Sequence, residues 1–350
     1  MDVLIVGAGA VGSLLAFELS AAGHRVTTVG RPAHKRAVDA RGVFLDCGGR
    51  ACGVDGVRAV ESTEPLSDDR FDLVLITTKA FDTAVAAVQA LPFVQRGAAA
   101  LVMQNGVGGV DIARGILGAH NLYAGVITIA VELPKPAVVR ADLKKGGIGV
   151  APANSQDAAF LADLFSQAGF KTRLYADWRT IKWSKLLLNI LANAIPAILD
   201  WPPDKVYANR KLYELELGAL REACVVIRRM RVRLSPLPGY RVPMLTWVLR
   251  RFPPRLTQVV FRRVVVGARG EKRPSLHIDL GKGRAKSEVE FLNGAVVRAG
   301  ARLGVSMPVN RMLSDVLLGI AQGRIEWNEY RGQPDRLINR ARSKREADAG

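Results

Sequence analysis

At 350 residues, 49% hydrophobic and 23% charged, the chain has a normal globular composition and room for one large domain or two ordinary ones. Its net charge of +18 is concentrated: residues 231–274 hold ten Arg and one Lys against one acid, Glu271, which argues against a general nucleic-acid surface. No apolar run approaches the roughly 18 residues of a bilayer span. MDVLIVGAGAVG lacks a secretory signal pattern, and Cys47, Cys52 and Cys224 with four scattered His make neither a disulfide framework nor a metal site, so a reducing, cytoplasmic setting is expected.

The chain opens with a short apolar run, Val3 to Val6, as expected for a parallel strand buried on both faces. Gly7, Gly9 and Gly12 follow as G-x-G-x-x-G, then a helical pattern and a second strand, Arg25 to Val29. Gly7 permits the tight turn, Gly9 lets backbone approach a pyrophosphate, and Gly12 lets helix pack on strand. Within a βαβ unit this predicts a Rossmann dinucleotide site at Gly7, Ala8, Gly9, Ala10, Val11 and Gly12, with the helix N-terminus facing phosphate. Gly30 stands near the usual place of the acid that binds ribose hydroxyls, and Arg31 follows it. A guanidinium there suits a 2′-phosphate, so NADPH is the expected cofactor. FDLVLITTKAFD (71–82) and AAALVMQNGVGG (98–109) read as further buried strands that deliver Lys79 and Asn105 to strand C-terminal ends, the edge where open α/β sheets bind ligands. Residues 126–152 read as antiparallel strands covering the sheet.

A helical half begins with Asp177 as N-cap. Within KWSKLLLNILANAIPAIL (182–199), Lys185, Asn189 and Asn193 recur at i, i+4 and i+8, one stripe on an otherwise apolar helix. Helical patterns recur at 206–230 and 286–304, and the latter carries Glu288.

Five blocks together, GAGAVG, TTKAFD, QNGVGG, WSKLLLNILANA and SEVEFLNGAVV, resemble the ketopantoate reductases, NADPH-dependent enzymes that reduce 2-dehydropantoate. The resemblance covers nearly all of residues 1–335. It implies an N-terminal Rossmann domain (1–175), an all-helical substrate and dimerisation domain (176–335) and a polar tail (336–350), with the site in the cleft. It implies Lys185 as catalytic acid, Asn189, Asn193 and Ser275 on the substrate, and Lys79, Asn105 and Glu288 at the cofactor, in a homodimer serving pantothenate biosynthesis. The chemistry agrees: an ammonium can protonate the alkoxide that hydride transfer creates, while neutral amides hold the substrate. A paralogue acting on a bulkier ketone, or a non-catalytic NADPH-binding protein working through its basic segment, are the alternatives.

Three features depart from the family. The Ser275–Glu288 spacing is one residue longer. Pro203 and Asp204 stand where an Asn-Gly turn is usual. The basic segment 231–274 is longer than its counterpart. Its six prolines exclude one continuous helix. Three roles are open to it: a solvated loop, a contact with anionic membrane, or a roof over the substrate pocket, the last favoured because loops beside a site set specificity.

Overall fold

The computed structural model describes residues 1–46, 51–269 and 273–347; Cys47, Gly270, Glu271 and Lys272 lie outside the described residues. The chain divides into two units, Met1–Lys182 with Pro236–Tyr240, and Trp183–Ser235 with Arg241–Gly350.

The first unit is α/β. In chain order it contains β1 (Asp2–Val6), α1 (Ala10–Ala21), β2 (Arg25–Val29), α2 (Pro32–Arg41), β3 (Val43–Asp46), β4 (Ala51–Val54), β5 (Val57–Val60) and β6 (Leu73–Ile76). Then come α3 (Thr83–Gln95), β7 (Ala99–Val102), α4 (Gly109–Leu117), β8 (Leu122–Ile127), β9 (Val131–Lys135), β10 (Val138–Ala141), β11 (Ile148–Pro152), α5 (Ala159–Gln167) and β12 (Thr172–Leu174). The main sheet runs β12-β11-β8-β7-β6-β1-β2-β5. Strands β8, β7, β6, β1, β2 and β5 are mutually parallel, and β11 turns antiparallel to β8. Strands β6, β7 and β8 are buried at every residue, which is why they read as unbroken apolar runs. The chain leaves β1 toward β2 on one side and later returns to β6 on the other. The connections that leave β1 and β6 therefore run to opposite sides, which makes a topological switch point at their C-terminal ends.

The expectation of antiparallel strands across 126–152 holds in a divided form. The β9–β10 hairpin joins β3 and β4 in a separate sheet of order β4-β3-β10-β9, whereas β11 pairs with β8 in the main one. Periodicity reports that a segment is extended, but not which edge it pairs with.

Helix α6 (Trp178–Ile190) carries the boundary between the units, which falls after Lys182. Asp177 caps it as expected, its Oδ1 accepting from the Arg179 N–H at 3.0 Å. The second unit continues with α7 (Ala194–Leu199), α8 (Pro203–Ala208), α9 (Arg210–Arg229), α10 (Val242–Arg251), α11 (Pro254–Arg269), α12 (Ser275–Gly281), α13 (Asn293–Arg302), α14 (Pro308–Ala321) and α15 (Pro334–Ala347). Buried Leu199, Leu217, Leu220, Val296, Leu313 and Leu317 contribute to its core. Residues 336–347, expected as a polar tail, are instead helical, and α15 buries Leu337, Ile338 and Ala341. Three apolar residues on one helical face outweigh the polar composition around them.

The helix that carries the stripe is shorter than expected. It does not run from 182 to 199: Ala192 adopts a left-handed backbone (φ 51°), and a turn separates α6 from α7. The Ala192 N–H donates to Oε1 of Glu216, a buried carboxylate on α9. A tertiary acceptor thus holds the backbone where the helix ends.

Candidate functional site

In the first unit, the candidate dinucleotide residues collect at strand C-terminal ends. The Gly7 and Ala8 N–H groups donate to the Val29 carbonyl, both at 3.1 Å, which closes the turn between β1 and α1. Gly7 has φ 112°, and a Cβ there would strike the Thr78 backbone; one on Gly12 would overlap the Gly7 carbonyl oxygen. Gly9 differs. Its φ is −80°, and an added Cβ would meet nothing within 4 Å. The backbone there borders open space at the start of a 12-residue helix with no acid in its first turn, a setting that fits a phosphate.

A side chain at Gly30 would lie 2.8 Å from the Ala8 Cβ and from the His34 ring. Packing therefore excludes an acid at that position unless neighbours move. His34 is buried, its Nε2 is 3.1 Å from Thr28 Oγ1, and burial pushes its pKa down, so it sits there as a neutral imidazole. Arg31, the N-cap of α2, is exposed just beyond β2.

Lys79 follows β6 and Asn105 follows β7, both half-buried. Gln104 ties their loops together: its Nε2 donates to Thr78 Oγ1 at 2.8 Å. The structure thus brings Gly7–Gly12, Lys79 and Asn105 to one end of one sheet, as the strand pattern predicts.

Lys182, which pattern reading passed over, closes the same end. Its ammonium is fully buried and donates to the carbonyls of Val102 (3.1 Å), Gln104 (2.8 Å) and Gly125 (2.9 Å). Burial pushes its pKa down to about 7. Three acceptors match the three donors of an ammonium and oppose that push. The available signal was a lysine inside an apolar helix, one turn ahead of Lys185.

From 180 to 199, a stretch that crosses into the second unit after Lys182, every residue is buried except Lys185, Leu188 and Asn189. Spacings of three and four place these on one face of α6. An amine and an amide are thus the polar groups that this otherwise enclosed segment leaves half-accessible. Asn193 does not continue the stripe. It is buried in the turn, where its Nδ2 donates to the Asn189 carbonyl at 2.8 Å and its Oδ1 accepts from the Leu276 N–H at 3.2 Å. That second bond brings Asn193 to the start of α12, whose first residue is exposed Ser275. Glu288 is buried and opens a 3₁₀ turn capped by Ser287. Asn293 of the same block is structural: its Nδ2 donates to Asn310 Oδ1 at 2.9 Å, and Asn310 Nδ2 donates to Glu222. Among the described residues no three His, Cys, Asp or Glu side chains are grouped to hold a metal ion.

The family profile described as ketopantoate reductase PanE/ApbA matches residues 3–154, and its C-terminal counterpart matches residues 177–321. The 2-dehydropantoate 2-reductase of Halobacterium salinarum is 31% identical over 328 residues, covering 91% of this chain and 98% of that protein. The enzyme of the same name from Pyrococcus abyssi is 25% identical, covering 91% and 97%. Among solved structures, a PanE/ApbA family ketopantoate reductase from Ralstonia eutropha JMP134 superposes with a TM-score of 0.78 at 29% identity, covering 93% of this chain and 99% of that one. A D-mandelate dehydrogenase, solved with NADH and anilino(oxo)acetate, also reaches a TM-score of 0.78, but at 22% identity, covering 92% and 99%. That last likeness carries the fold alone.

Proposed function

The chain belongs to the ketopantoate reductase family, and from that premise we propose that it is an NADPH-dependent reductase of a 2-oxo acid, converting 2-dehydropantoate to pantoate with Lys185 as general acid. The observation that carries the reading is the half-accessible pair Lys185 and Asn189 on a segment otherwise buried from 180 to 199. Bound NADPH supplies the hydride that reduces the keto carbon. The Lys185 ammonium stabilises negative charge on the substrate oxygen and gives it a proton, leaving a neutral amine that solvent reprotonates. Asn189 orients the substrate through its amide. Asn193 and Ser275 complete that contact, Asn193 with the second N–H and second lone pair left after its two backbone bonds. On the cofactor side, Gly7–Gly12 hold the pyrophosphate, Arg31 the 2′-phosphate, and Lys79, Asn105 and Glu288 the remaining polar groups. The protein is proposed to work in the cytoplasm as a homodimer.

The defining experiment follows NADPH oxidation by absorbance with 2-dehydropantoate and a panel of 2-oxo acids. No oxidation with any of them would end the proposal. A bulkier ketone is the second reading, favoured by Pro203 and Asp204, which open α8 where the family carries an Asn-Gly turn. A higher kcat/KM for a bulkier panel member would establish it.

NADPH is expected to be preferred over NADH by about ten-fold or more, because paired charge-assisted bonds to a phosphate add roughly 1.4 kcal/mol or more of binding. Arg31→Ala should bring the two cofactors to within a few-fold. Equal kcat/KM for both in the unsubstituted protein would refute the assignment. Gly9→Ala should fold normally, since its Cβ meets open space, yet bind NADPH at least about ten-fold more weakly, because a methyl group then stands where backbone approaches phosphate. Unchanged affinity by fluorescence titration would move the phosphates elsewhere.

A further inference from the structure

The basic segment forms neither a loose loop nor a buried plug. Pro236–Tyr240 belongs to the first unit, where Thr128 Oγ1 donates to the Pro238 carbonyl at 2.7 Å and Tyr175 Oη to the Pro236 carbonyl at 2.6 Å. Residues 242–251 and 254–269 form α10 and α11. Their inner faces are secured: Val242 and Leu249 of α10 are buried, Tyr213 Oη donates to Thr257 Oγ1 at 2.6 Å, and Gln258 Nε2 donates to the Tyr207 carbonyl at 2.9 Å.

Their outer faces carry Met244 (55% exposed), Trp247 (58%), Leu256 (59%) and Val259 (56%). Met244 and Trp247 are one helical turn apart, as are Leu256 and Val259, so each helix presents an apolar pair away from its buried side. Phe252 packs edge-on against Trp247 between the helices, with ring centroids 5.5 Å apart. Exposed Arg241, Arg250, Arg251, Arg255 and Arg262 flank these residues, and residues 231–270 contain no acid. A roof over a pocket would turn its apolar side chains inward, and these are exposed.

We propose that α10 and α11 form a peripheral docking surface for an anionic lipid bilayer, with Trp247, Met244, Leu256 and Val259 entering the headgroup region and the arginines pairing with lipid phosphates. Charge selects this occupant. A second copy seated on the same helices would bring the arginines of this acid-free segment against themselves and be repelled. A purely polyanionic partner would leave the exposed aliphatic side chains unused. An anionic bilayer answers both features, because basic helices with an aromatic and aliphatic face bind there through apolar burial and electrostatic attraction. Among the described residues no helix is long and apolar enough to cross a membrane, so the contact is interfacial.

The test uses the full chain with sedimenting vesicles of phosphatidylcholine alone or mixed with phosphatidylglycerol. Binding is expected only to the anionic vesicles, should weaken as salt rises, and should shift tryptophan emission to the blue. Trp247→Ser combined with Leu256→Ser should bind at least about ten-fold more weakly and lose the shift, while an unchanged circular dichroism spectrum and melting temperature confirm the fold. Arg250→Glu with Arg251→Glu should lose binding without needing the apolar change. Equal binding to neutral vesicles, no binding to either, or full binding by the serine variant would each overturn the proposal. Concentration-dependent self-association abolished by the serine substitutions, without vesicle binding, would assign the face to a second copy and overturn it as well.

Discussion

Lys185→Ala is expected to lower kcat by more than about 100-fold while NADPH still binds, since general-acid catalysis contributes roughly 100- to 10,000-fold and the amine acts on charge that develops only in the reaction. The residue sits half-buried on α6, and its neighbours in sequence, Ser184, Leu186 and Leu187, are fully buried. Truncation at Lys185 therefore leaves the packed side of the helix intact. The expected signature is parallel loss in kcat and kcat/KM, the mark of an interaction made in the transition state. Asn189→Ala should act more on KM, because a neutral amide holds ground and transition states alike. Near-normal turnover in the Lys185→Ala protein would show that another group donates the proton. A loss confined to KM would make Lys185 a binding residue.

Lys182→Met should destabilise the first unit by about 1–3 kcal/mol, the scale of leaving buried acceptors without their donor. The methionine side chain fills similar space but donates nothing, leaving the carbonyls of Val102, Gln104 and Gly125 without this donor. Lys171→Met, which removes an exposed ammonium bonded to the Lys144 carbonyl, is the control and should stay within about 0.5 kcal/mol. Denaturant titration measures both. The pH dependence follows from the sign of the shift. Burial lowers the folded-state value to about 7 from an ordinary 10.5, so between those values the unfolded chain holds a proton that the folded chain releases. The lysine's contribution to stability should therefore be flat below about pH 7 and rise with pH above it. The methionine variant should lack that rise. Equal slopes in the two proteins would mean that the three carbonyls keep the ammonium charged throughout. Both proteins unfolding at the same denaturant concentration would remove Lys182 from the supports of the sheet's ligand-binding end.

Short-range geometry accounts for the features legible along the chain. The turn at Gly7–Gly12 follows from sterics among neighbouring residues, and the buried strands β6 and β7 from unbroken apolar runs. Arg31, Lys79 and Asn105 fall at strand C-terminal ends because those strands have legible limits. Lys185 and Asn189 share a face because a helix repeats every 3.6 residues. The remaining features were not legible, because in each case the partner that fixes them lies far along the chain. Ala192 takes a left-handed backbone in the turn where Glu216 accepts its N–H, and Asn193 accepts from Leu276 instead of continuing the stripe. Lys182 looks like any helical lysine until strand ends more than 50 residues away present their carbonyls. The β9–β10 hairpin joins a sheet whose other strands precede it by some 80 residues or more. The basic segment reads by pattern only as basic, proline-broken chain. Tyr207 and Tyr213 fix which residues of α11 turn inward, while α10 buries Val242 and Leu249 and leaves Trp247 exposed.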